Sequence, residues 1–169
     1  MLDVIFVCYG NICRSPSAEI IFKDILRKEG CESLVHVSSR ATSDCVAGAH
    51  LYREAKKELE KRGLGQYGEN HKARKITLHE IQRSDFILIM DEYNYIGMQQ
   101  ITGGRYMDKV IKLRRFSKDF DGVTEDIDDP WYTREFARAF DEIEAGCKGF
   151  YEAVKPLIYS SQQAPKGFT

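Results

Sequence analysis

Two hydrophobic periods take turns along this chain. Residues 3–8 (Asp3-Val4-Ile5-Phe6-Val7-Cys8) are almost wholly apolar and partly β-branched, which predicts a strand covered on both faces. From residue 15 the period changes. Ala18, Ile21, Phe22, Ile25 and Leu26 recur at helical spacing and predict a helix over 15–29, with Ser15 as its cap, Pro16 in its first turn and Gly30 as its stop. Further strands are predicted at 34–38, 85–90 and 110–113. Further helices are predicted at 51–62, 78–83, 92–101 and 133–159, the last with a weak point at 146–149, where two glycines fall. Residues 160–169 read as a polar, flexible tail.

Strands separated by helices imply right-handed crossovers. The expected fold is therefore α/β: a single three-layer domain over residues 1–159, with a mostly parallel, four-stranded twisted sheet and helices on both faces. In such folds a ligand sits beyond the carboxyl ends of the strands, at the point where the chain switches direction across the sheet. Cys8 ends the first predicted strand and so lies where a ligand is expected.

Composition narrows the function classes. The 169 residues carry a formal net charge of −1, with 43% hydrophobic and 30% charged residues. That balance argues against a nucleic-acid or membrane-surface partner, and the basic clusters at 72–75 and 112–115 read as solvated faces. No apolar run approaches the roughly 20 residues of a membrane span, and the N-terminal run lacks the basic flank of a signal peptide. Cys8, Cys13, Cys31, Cys45 and Cys147 are odd in number and irregularly spaced, a poor disulfide framework. The expectation is a cytoplasmic monomer with reduced thiols, needing no metal or other cofactor.

The chemistry concentrates in Cys8-Tyr9-Gly10-Asn11-Ile12-Cys13-Arg14-Ser15-Pro16, between the first strand and the first helix. A helix N-terminus offers unpaired N–H groups and partial positive charge, so it attracts anions. Thiols in such places favour the thiolate form, and a guanidinium grips two oxygens of a tetrahedral oxyanion at once. Backbone amides between Cys8 and Arg14 can curl round an anion, with Gly10 and Asn11 tolerating unusual backbone angles. Ser15 can donate its hydroxyl to the sulfur. The combination describes a nucleophile, Cys8, aimed at a bound phosphate held by Arg14 and the loop Tyr9, Gly10, Asn11, Ile12, Cys13 and Ser15.

This motif resembles the signature of the low-molecular-weight protein tyrosine phosphatases. Ser38-Ser39-Arg40-Ala41-Thr42-Ser43, Asn70-His71-Lys72-Ala73-Arg74, Met90-Asp91-Glu92 and Asp129-Pro130-Trp131-Tyr132 resemble that family's other blocks, in the same order, over roughly residues 2–158. The resemblance implies hydrolysis of phosphotyrosine in protein substrates through a phosphocysteine. It also implies that Asp129, directly before a proline, protonates the leaving oxygen and then activates water. Asp128 is the competing candidate. By the same resemblance, Asn11 and Ser15 organise the loop, His71 is hydrogen-bonded to Asn11, and Asp91 faces the cleft. Trp131 and Tyr132 form an aromatic wall or else pack on the core.

Three other functions share parts of this pattern. Arsenate reductases with a similar loop need further cysteines, and residues 78–98 contain none. Phosphoarginine phosphatases of the same family usually carry Thr where Ile12 stands, and Ile12 offers an apolar surface suited to an aromatic ring. A non-catalytic phosphotyrosine-binding module would have no need of Cys8 or Asp129. Two points stay open. Cys13 is either a small loop-filling residue or a partner that traps an oxidised Cys8 as a disulfide. Cys45 stands where many family members carry an aromatic or acidic residue, so the opposite wall of the cleft is left more open or is filled by Tyr52 or His50.

Overall fold

The computed structural model describes residues 1–160; from residue 161 onward the expected tail lies outside the described residues. The sheet consists of β1 (Leu2–Cys8), β2 (Val35–Ala41), β3 (Phe86–Ile89) and β4 (Val110–Lys112) in the order β2-β1-β3-β4, every neighbouring pair parallel. The helices are α1 (Arg14–Lys28), α2 (Arg53–Lys61), α3 (Leu78–Arg83), α4 (Glu92–Thr102), α5 (Pro130–Thr133) and α6 (Phe136–Ser160).

Alternation along β1 divides its side chains between two cores. Val4, Phe6 and Cys8 join the larger core with Ala18, Phe22, Leu59, Phe140 and Phe150, from α1, α2 and α6. Ile5 and Val7 join the smaller one with Ile81 of α3 and Met98 of α4. β1 is buried on both faces as its composition predicts. Because β1 is central, the crossover to β2 leaves on one side and β3 pairs on the other. The loop from Tyr9 to Cys13 follows β1 at that switch point.

Several boundaries differ from expectation, each for a physical reason. Ser15 does not cap α1: the residue at that position is Cys13, and no side chain caps the first turn. The Ser15 hydroxyl is engaged with Cys8 instead. β2 continues past residue 38 to Ala41, because Ser39 is buried at no unmet cost: its hydroxyl donates to Glu19 Oε1 (2.7 Å) and accepts from Asn11 Nδ2 (3.0 Å).

The expected helix over 133–159 is one helix that begins late, because Thr133 belongs to the short helix before it. Arg134 takes a left-handed conformation (φ 61°) and ends α5, so α6 begins only at Phe136. The glycines at 146–149 do not weaken α6, which runs unbroken through them. They are sites of close approach. A Cβ on Gly146 would lie 2.7 Å from Leu113 Cγ, and one on Gly149 would run into the Phe116 carbonyl oxygen.

Candidate active site

The loop after β1 is built around Asn11, which is fully buried and has φ 58°. The left-handed position falls on Asn11 and not on Gly10, whose missing side chain instead admits Val46: a Cβ there would be 3.3 Å from Val46 Cγ2. Asparagine is among the non-glycine residues that tolerate this conformation best. Every polar group of Asn11 is paired. Its Nδ2 donates to Ser15 Oγ (2.8 Å) and Ser39 Oγ (3.0 Å), and its Oδ1 accepts from the Arg74 amide (3.0 Å). Its own amide donates to Cys8 Sγ (3.3 Å), and its carbonyl meets His71 Nε2 at 2.7 Å. A carbonyl can only accept, so His71 carries its proton on Nε2.

This network aims donors at the sulfur. Cys8 Sγ lies 3.1 Å from Ser15 Oγ. Because Asn11 already donates to that oxygen, the Ser15 proton is free to point at Cys8, with the Arg40 carbonyl (3.3 Å) as its other acceptor. An amide and a hydroxyl thus converge on one sulfur. Cys13 differs. Burial, and then the neighbouring Cys8, push its thiol well above the usual range, so it stays protonated.

Arg14 is 2% exposed, and its charge is balanced from three directions. Nη1 donates to Asp91 Oδ2 (2.6 Å) and to the Ile127 carbonyl (2.7 Å), while Nη2 lies 3.3 Å from Asp129 Oδ2. Burial works against the guanidinium charge, but Cys8, Asp91 and Asp129 outweigh it and hold the group more firmly protonated than usual. Asp91 is itself fixed as the N-cap of α4, in a reciprocal pair with Asn94. Asp129 caps α5 through Oδ1, which accepts from the Trp131 amide (3.0 Å), and this leaves Oδ2 to face Arg14.

A cavity of about 220 Å³ joins these groups. Its floor is Cys8, Gly10, Ile12, Cys13 and Arg14, and Asp129 stands on its side. Asp128 is exposed and does not line it. Tyr9, Trp131 and Tyr132 reach the mouth and are all largely exposed, so the two α5 aromatics serve as wall more than as core. Trp131 also rests against Tyr52 (ring centroids 5.1 Å apart), and Tyr52 stacks on Phe136.

Cys45 and Val46 also line the cavity, Tyr52 lines it next to Trp131, and His50 takes no part. Val46 and the Ile127 carbonyl escaped the sequence reading as site groups, and Ser39 entered it only inside a block resembling the family, with no role. Nothing local marks them, because each matters only through a partner far along the chain. His71 and Asp91 support the site from behind and do not line the cavity.

Comparison with known proteins gives a consistent picture. The family described as low molecular weight phosphotyrosine protein phosphatase matches residues 3–157. The low molecular weight protein-tyrosine-phosphatase YfkJ of Bacillus subtilis is 29% identical over 155 residues, covering 92% of this chain and 97% of the relative. The Gallus gallus low molecular weight phosphotyrosine protein phosphatase is 32% identical over 152 residues, covering 89% and 94%. The crystal structure of YfkJ superposes with a TM-score of 0.87 at 28% identity, over 93% of this chain and 96% of that one. A Bacillus subtilis arginine phosphatase, YwlE, in a variant with a phosphorylated active-site serine, gives a TM-score of 0.77 at 28% identity, over 91% and 96%.

Proposed function

The chain belongs to the low molecular weight phosphotyrosine protein phosphatase family, and we propose that it hydrolyses phosphotyrosine in two steps carried by Cys8, Arg14 and Asp129. The observation that carries this reading is the shared cavity: sulfur, guanidinium and one carboxylate line it together. In the first step Cys8 Sγ attacks phosphorus. The S–P bond forms, the P–O bond to the phenol breaks, and Asp129 gives its proton to the leaving oxygen. Arg14 and the loop amides hold the phosphoryl oxygens, and one well-placed donor of this kind is worth about 100- to 1,000-fold in rate. In the second step Asp129 takes a proton from water as the water attacks phosphorus. The S–P bond breaks, and thiolate and inorganic phosphate are released.

The walls favour an aryl ester. Ile12, Val46, Tyr52, Trp131 and Tyr132 offer apolar and aromatic surface, and Asp129 is the single carboxylate among the lining residues. A phosphoarginine substrate would bring a polar guanidino group against that surface with little to pair it. The five free thiols, four of them buried, support residence in a reducing compartment, which we take to be the cytoplasm. Among the described residues, no helix is long and apolar enough to cross a membrane.

The test is a parallel assay of phosphotyrosine, phosphoserine and phosphoarginine peptides with wild type and Cys8→Ser. The phosphotyrosine peptide should have the highest kcat/KM, and Cys8→Ser should fall to background on all three. Faster turnover of phosphoarginine would reverse the substrate assignment. Equal rates for wild type and Cys8→Ser would remove the nucleophile.

A further inference from the structure

Lys112 ends β4, outside the cavity, in a basic cluster that the sequence pattern marks only as a solvated face. Its side chain is only 13% exposed, and its ammonium faces three carboxylates: Glu92 Oε2 at 2.7 Å, Asp126 Oδ1 at 2.9 Å and Glu125 Oε2 at 3.6 Å. Burial opposes its charge, but Glu92 and Asp126 more than compensate and hold it firmly protonated.

The sequence positions of these carboxylates matter. Glu92 follows Asp91, and Asp126 precedes Ile127. Arg14 Nη1 bridges Asp91 to the Ile127 carbonyl, and Lys112 Nζ bridges Glu92 to Asp126. Two cations from different elements therefore join the same two segments, one residue apart. The second of these segments runs directly into Asp129.

The two cations have different duties. Arg14 faces the cavity and must offer its donors to a phosphoryl group, whereas Lys112 touches neither the phosphate loop nor the cavity. Besides Lys112 and Arg14, the Asp126–Ile127 segment is held to the strand-end segment by the Ile127 amide on the Met90 carbonyl (2.8 Å). Removing the ammonium would leave three carboxylates facing one another, and their repulsion would push the loop outward.

We propose that Lys112 is a positioning residue that keeps Asp129 within proton-transfer reach of the leaving oxygen, independently of phosphate binding. The proposal rests on Asp129 being the acid. Its signature is leaving-group dependence: an ester with a good leaving group needs little protonation, and a poor one needs much.

The experiment compares kcat/KM for phenyl phosphate and p-nitrophenyl phosphate, with the inhibition constant of inorganic phosphate, in Lys112→Met, Lys112→Arg, Asp129→Asn and the Lys112→Met/Asp129→Asn double variant. Lys112→Met should lose about tenfold on phenyl phosphate, a part of the roughly 100-fold or more that general acid catalysis supplies. It should lose less than about threefold on p-nitrophenyl phosphate and leave phosphate inhibition within about twofold. Lys112→Arg should retain most of the activity. In the Asp129→Asn background, Lys112→Met should add less than about twofold, because its effect passes through a group already removed.

Equal loss on both esters, no loss, or the same loss in the Asp129→Asn background overturns the proposal. If Asp129→Asn shows no leaving-group-selective loss, the acid assignment falls. If Asp129→Asn shows it and Lys112→Met does not, only the role of Lys112 falls. Should circular dichroism show Lys112→Met unfolded, Asp126→Asn carries the same comparison under the same criteria.

Discussion

Asn11→Ala is the sharpest probe of how this loop is held. The substitution removes the two Nδ2 donations to Ser15 and Ser39 and the Oδ1 acceptance from the Arg74 amide. At roughly 1 kcal/mol of net worth each, those bonds contribute about 3 kcal/mol. Alanine must also adopt φ 58°, which adds about 1 kcal/mol. The expected loss is therefore about 4 kcal/mol, against a total of about 5–15 kcal/mol for a typical domain. Asn11→Gly loses the same bonds without the steric strain and should be the more stable variant by about 1 kcal/mol.

Activity should fall with stability, because Ser15 then has no donor fixing its oxygen and can turn its proton to the Arg40 carbonyl and away from Cys8. Urea unfolding followed by far-ultraviolet circular dichroism measures the first effect, and kcat/KM for p-nitrophenyl phosphate measures the second. An Asn11→Ala protein within 1 kcal/mol of wild type, or one as stable as Asn11→Gly, would refute the reasoning.

Four further outcomes follow from the same geometry. Asp129→Ala should lower kcat/KM for phenyl phosphate by about 100-fold and Asp128→Ala by less than about twofold, as steady-state kinetics would record; the reverse order would move the acid to Asp128. Gly149→Ala should destabilise by about 3 kcal/mol or more in a denaturant titration, because its Cβ would meet the Phe116 carbonyl; helix propensity alone would give a gain of about 1 kcal/mol. After treatment with excess peroxide, thiols should reactivate wild type but not Cys13→Ser, where peroxide carries the untrapped Cys8 sulfenic acid on to a sulfinic acid that thiols do not reduce, assayed by recovered turnover. Peroxide oxidises Cys8 to a sulfenic acid in the loop that also holds Cys13. Attack by Cys13 then forms the S–S bond and releases water. Glu80 is held below the usual carboxylate range: burial opposes its charge, but Arg40 and the Thr77 amide outweigh it. Its contribution is present above the unfolded value and lost as pH falls through the lower folded one, so the stability gap between wild type and Glu80→Gln should narrow on acidification below about pH 4.

The layers of the fold were legible because each rests on a local period. β1 reads as buried on both faces from composition alone, and α1 reads from the spacing of its apolar stripe. The misplacements occur where tertiary contacts override local preference. Ser38 and Ser39 look like the end of a strand, yet β2 continues because it pairs with β1 in register over those residues. Gly146 and Gly149 look like a helix breaker until the backbone of residues 113–116 is packed against them, where a side chain could not fit. Arg134 gives no local sign of a left-handed break. Its side chain donates to the Tyr52 hydroxyl (3.1 Å), a partner more than 80 residues earlier in the chain.

The site divides in the same way. Cys8, Arg14 and Ser15 were legible because a short loop places them together whatever the rest of the chain does. The long-range partners were not legible in the local pattern (Asp91, His71 and Asp129 came only with the family resemblance), and charge and burial explain why. A buried guanidinium must find anions and a buried asparagine must find donors and acceptors, so the need for partners can be read from sequence while their identity cannot. Arg14 meets that need 77 and 113 residues away, at Asp91 and Ile127. Lys112 illustrates the opposite error: within a basic run it looks solvated, although the fold surrounds it with three carboxylates. The two cations join the same pair of segments, so the distance between phosphate loop and acid depends on both. A change at Lys112 should therefore alter catalysis without touching any residue that the substrate meets.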